Sequence, residues 1–74
     1  DSNLGLAFLV QSEILIALNE KESAKIVLRS SSGMDLPTAA HYLERSEIFF
    51  SFGEIDLARS DLAEAERINP DLAK

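Results

Sequence analysis

A chain of 74 residues has room for one small domain, and too little interior to combine a packed core with a deep catalytic cavity. Its 13 acidic and 7 basic residues leave a net charge of -6, which argues against binding a nucleic-acid backbone or an anionic membrane surface. A hydrophobic content of 46% is that of a folded chain, and the lack of cysteine excludes disulfides and thiolate zinc sites.

The chain opens at Asp1 with neither Met nor a signal peptide, so we expect a piece of a longer protein. Its address went with the cut, and a cytoplasmic setting is only the default. Leu4, Phe8, Leu15 and Leu18 fall at spacings of three, four and seven, and Leu9 and Ile16 widen the stripe. That period predicts a helix over 4–18 with these residues on its packed side. No apolar run approaches the ~18 residues that span a bilayer. Residues 14–18 are stopped by Asn19 and Glu20, so no membrane insertion is expected. Asn19 tolerates the left-handed backbone that ends helices. A second stripe through Ala24, Val27 and Leu28 predicts a helix over 21–31, closed by Ser30-Ser31-Ser32-Gly33. That serine run lacks the glycine and lysine pattern of a phosphate loop and reads as a linker of turn residues.

Pro37 suits the first turn of a third helix, expected over 37–52 and carrying Tyr42, Leu43, Ile48, Phe49, Phe50 and Phe52. Gly53 then stands where Asn19 stood. A fourth helix over 55–68 carries Ile55, Ala58, Leu62, Ala65 and Ile68, until Asn69-Pro70 stops it. The remaining residues look like the loop and opening turn of a third unit, since Ala73 repeats Ala39. Connections this short make neighbouring helices antiparallel. The expected fold is therefore all-α, four helices in antiparallel helix–turn–helix pairs of the kind that stack into an α-α superhelix.

Shifting the chain on itself by 34 residues aligns Leu9 with Leu43, Ser12 with Ser46, Glu13 with Glu47 and Ile14 with Ile48. The same shift aligns Glu20 with Glu54, Ala24 with Ala58 and Leu28 with Leu62. Such a period is the mark of a helical repeat. It divides the chain into repeats at 5–38 and 39–72 within one module. This pattern resembles the tetratricopeptide repeat. Tyr42 and Phe49 fill its two aromatic positions, Gly53 its inter-helix turn, Ala58 and Ala65 its small positions, Leu62 the large one between them and Pro70 its terminal proline. The first unit matches through Phe8, Leu15, Asn19, Ala24 and Leu28, with Ser31 in place of the second alanine. Both units depart at the usual Leu-Gly pair, which reads Gln11-Ser12 and Arg45-Ser46. Gln11 and Arg45 are expected to cover apolar surface with their stems and keep their polar heads in water.

The resemblance implies a concave face lined by the first helix of each pair. Carried over by position, its lining is Leu6, Leu9, Glu13, Ile16 and Ala17, then Ala40, Leu43, Glu47, Phe50 and Ser51. Two rows emerge, Leu9–Glu13–Ile16 and Leu43–Glu47–Phe50, each with an acid between apolar ends. They suit a protein or peptide partner with apolar anchors and a Lys or Arg. The competing expectation is that neighbouring repeats cover Leu6, Ile16 and Phe50. Family members that grip a C-terminal carboxylate use Lys and Asn, where this chain has Leu9, Glu13, Leu43 and Glu47, so that subtype is rejected.

Little else points to chemistry. His41 reads as a surface residue, and Glu13 and Glu47 lack a His or Asp at metal-ligand spacing. No catalytic residue, metal or cofactor is expected. A protein-binding scaffold leads, and a structural spacer or self-association element is the alternative. Leu57, Leu62 and Ile68 on the last full helix make the C-terminal side the expected surface for homo-oligomer contacts.

Overall fold

The computed structural model describes residues 2–73. Among them are four α-helices, α1 (Ser2–Ala17), α2 (Lys21–Ser30), α3 (Ala39–Ser51) and α4 (Ile55–Ile68), a short 3₁₀ helix at Pro70–Ala73, and no strand. The chain is all-α, as the periodicity predicts. No helix among the described residues is long and apolar enough to cross a membrane. Two compact units divide at Asp35 and Leu36. α1 packs on α2 in the first, and α3 packs on α4 in the second.

Each hairpin turns by the same local device. Asn19 takes φ 64° and Gly53 takes φ 79°, both in the left-handed region. At the first turn the Glu20 N–H donates to the Leu15 carbonyl at 2.8 Å and the Asn19 N–H to Ile16 at 3.0 Å. At the second, Glu54 donates to Phe49 at 2.9 Å and Gly53 to Phe50 at 3.0 Å. This pair of bonds is the Schellman cap, which satisfies carbonyls that the helix end would orphan. The next helix starts at once, with Ala24 N–H donating to Glu20 and Ala58 N–H to Glu54, each at 3.0 Å.

Small residues let the helices of each hairpin approach. Ala24 and Ala58 are fully buried at matched positions, with Leu28 beside the first and Ala65 beside the second. Ser12 and Ser46 are buried too. Their hydroxyls donate to the carbonyls three residues back, Leu9 and Leu43, at 2.7 Å each. Ser31, which stands in for an alanine, buries its hydroxyl against the Leu28 carbonyl at 2.6 Å. A buried hydroxyl with a local acceptor carries little desolvation cost.

Three expectations are corrected. Pro37 lies outside α3, whose N-cap is Thr38. The Thr38 Oγ1 accepts the His41 N–H at 3.3 Å, a cap that the hydroxyl supplies and proline lacks. The packed side of α1 is Gly5, Leu9 and Ser12, while Leu4 and Leu18 are exposed. Only one residue of α1, Glu13, is charged, so hydrophobicity runs nearly all round it and the pattern did not single out the buried side. Lastly, Arg45 keeps nothing in water. It is 1% exposed.

Candidate partner-binding surface

The candidate row in the second unit rides on α3. Leu43, Glu47 and Phe50 sit four and three residues apart, so they share one face of that helix. Leu43 is half-buried, Glu47 is exposed and Phe50 is 42% exposed. The row thus offers an aromatic ring beside a solvated carboxylate, with a leucine anchored partly in the fold. In the first unit Glu13 is exposed and Ile16 half-buried. Leu9 is a further correction to the expected row. It is fully buried and has no surface to offer a partner. The cause is the inward turn of α1 about Gly5, Leu9 and Ser12, which points the fifth residue of the unit into the core.

A buried polar cluster holds α3 in place. Arg45 Nε donates to Asp61 Oδ2 at 2.6 Å and its Nη2 donates to Oδ1 at 2.7 Å, a two-pronged ion pair between α3 and α4. The guanidinium carbon also lies 5.5 Å from the centre of the Tyr42 ring, within cation–π range. The Tyr42 hydroxyl in turn accepts the Leu36 N–H at 3.0 Å, tying the segment before α3 to that helix. Leu36 to Asp61 is therefore one connected chain of polar contacts. Among the described residues no buried side-chain nitrogen or oxygen lacks a partner.

Sequence reasoning missed Asp61, although a signal was present. One repeat earlier, Arg45 and Asp61 correspond to Gln11 and Val27. The cation and the acid appear together in one unit and vanish together in the other, as a pair across a hairpin must.

This pairing sets the charge of the surface. Arg45 is the only Lys or Arg of α3, and it is spent inside the fold. The exposed charges of the helix are Glu44 and Glu47, both acidic. The exposed residues that α3 itself contributes beside Phe50 therefore bring acidic charge and no Lys or Arg.

The remaining candidates are local. His41 Nδ1 lies 2.8 Å from Thr38 Oγ1, part of the N-cap of α3. On α4, the Arg67 side chain donates to Glu64 and holds its carboxyl below the usual glutamate range. No group of three or more His, Cys, Asp or Glu residues that could hold a metal occurs among the described residues. Leu57 and Leu62 are half-buried, while Ile68 and Leu72 are exposed at the C-terminal side. Searches against protein-family models, curated proteins and solved structures found no match to this chain.

Proposed function

We propose that this chain is a tetratricopeptide-type module that holds a protein or peptide segment bearing apolar anchors and basic residues. The observation that carries this reading is the face of α3, where Phe50 and Glu47 are exposed while the helix's only cation is locked to Asp61. An exposed aromatic beside an acid fits an amphipathic segment that lays an apolar side chain on the ring and a Lys or Arg on the carboxylate. The family reading draws support from local geometry that recurs at a 34-residue interval. It includes the left-handed turns at Asn19 and Gly53, the hydroxyl bonds of Ser12 and Ser46, and the buried Ala24 and Ala58. Glu13 and Ile16 supply the corresponding acid and aliphatic on α1. A self-association role would rest on a different surface, the C-terminal side, where Ile68 and Leu72 are exposed.

Panning the purified chain against a displayed peptide library tests the proposal. Enriched peptides should carry Lys or Arg within three or four residues of a large apolar side chain. Glu47→Lys should shift the selected charge from basic to acidic, and Phe50→Ala should weaken enrichment. Absence of enrichment, or enrichment unmoved by both substitutions, would overturn it.

A further inference from the structure

Arg45 and Phe50 stand at opposite edges of the buried side of α3. Five residues along the helix set them about 140° apart around its axis. Buried Phe49, Tyr42 and Ser46 lie between them. Half-buried Leu43 stands within about 20° of Phe50, on its outer side. Half-buried Ile48 stands about 60° beyond Arg45, on the other outer side. A rotation of α3 that draws Phe50 and Leu43 inward therefore carries Arg45 and Ile48 outward.

Apolar burial favours that rotation. It takes a ring that is 42% exposed out of water, together with the rest of Leu43, and gives up only the covered part of Ile48. It also returns a guanidinium to solvent, where arginine is ordinarily found. Ala58 and Ala65, fully buried on α4, present methyl groups with little shape to oppose a turn. The fork between Arg45 and Asp61 does oppose it. Two bonds of 2.6 and 2.7 Å hold the guanidinium to α4, and withdrawing the cation would leave the Asp61 carboxylate buried without it.

We propose that Asp61 is a positioning residue for the α3 face: by holding Arg45 inside, it stops α3 from rotating and keeps Phe50 on display. Asp61 is itself 6% exposed, so it acts through Arg45 and not by touching a partner. The use of that display for binding rests on the function proposed above. The rotation needs no partner and is read on the chain alone.

The chain contains no tryptophan, so Phe50→Trp and Ile48→Trp are single fluorescent reporters at the two edges. Each is compared with and without Asp61→Asn, which keeps the shape of the side chain and removes its charge. At position 50 the emission should shift to shorter wavelength. Acrylamide quenching there should fall about twofold or more, as the ring loses at least half of its exposure. At position 48 both readouts should move the opposite way. Opposite signs identify rotation, because general loosening exposes both rings. Arg45→Lys keeps the charge but cannot make the fork, and should give smaller changes of the same signs. In Arg45→Leu with Asp61→Val both reporters should return to their parent values, since leucine at 45 favours the interior. Reporters that stay still, or that move in the same direction, in both Asp61→Asn and Arg45→Lys would overturn the proposal. Peptide panning on Asp61→Asn separates the two readings: enrichment unchanged in a rotated chain would overturn the binding role of the face and leave the rotation standing.

Discussion

Arg45 and Asp61, on facing helices of the second unit, meet through two parallel hydrogen bonds of 2.6 and 2.7 Å in a site that is almost closed to water. Both partners of such a pair give up hydration, so their joint presence adds little stability over a well-packed apolar pair. Removing one partner is another matter, because it strands a buried charge.

Arg45→Leu should therefore destabilise the second unit by about 3–5 kcal/mol. For a chain of this length that is a large part of total stability, which runs at roughly 0.05–0.15 kcal/mol per residue. The double variant Arg45→Leu with Asp61→Val, which imports the apolar residue found one repeat earlier, should recover most of the loss. Urea melts of the two singles and the double form the cycle that checks this. A double variant as unstable as the sum of the singles would show that the pair is not coupled.

The two hairpin turns differ in residue but share a backbone conformation, so they should answer differently to alanine and glycine. Gly53→Ala should cost about 1–2 kcal/mol, the penalty of a left-handed residue with a Cβ. An added Cβ there meets nothing within 4 Å, so conformation alone sets the cost. Asn19→Ala should cost a comparable amount, whereas Asn19→Gly should be close to neutral. Thermal melts of the three variants decide it.

Ala58 is fully buried where α4 packs on α3. Ala58→Leu overpacks that contact and should cost about 1–3 kcal/mol. Ala63→Leu, on the exposed side of the same helix, should leave the melting temperature nearly unchanged and serves as the control.

Arg67 lowers the Glu64 pKa mainly through its hydrogen bond, which outweighs an opposing desolvation, and its charge adds a smaller effect in the same direction. A carboxyl with a lowered folded-state pKa contributes stability above the ordinary glutamate pKa and loses it as pH falls through the folded value. The pair is exposed, so screening leaves that contribution small. Titration followed by carbon NMR should find Glu64 protonating below the ordinary glutamate range. Arg67→Met should bring its midpoint back up.

Much of the fold was legible because four stripes of apolar residues are separated by strong turn signals. Asn19, Gly33 and Gly53, singled out as turn residues, all take positive φ. What stayed hidden has physical causes. The orientation of α1 did not follow from a pattern that is apolar on nearly every side, so Leu9 was placed both in the packed stripe and on the groove surface, and Leu4 and Leu18 in a core. Arg45 was read as a surface residue because a lone arginine is ordinarily solvated. Its burial depends on an acid 16 residues away, a partner that helical periodicity does not reveal. The exposure of Glu47 and Phe50 was reachable because Tyr42 and Phe49 fix which side of α3 turns inward.

The most direct measurement of partner binding is an NMR titration of the isotope-labelled chain with a synthetic helical peptide that carries one Lys between two leucines. The backbone amides of Leu43, Glu47 and Phe50 should shift together, saturate with added peptide and weaken as salt is raised. Charge reversal at both Glu13 and Glu47 should abolish those shifts without loss of helicity, since both side chains are exposed. Shifts confined to residues away from the α3 face, or binding unchanged by the double reversal, would contradict the assignment.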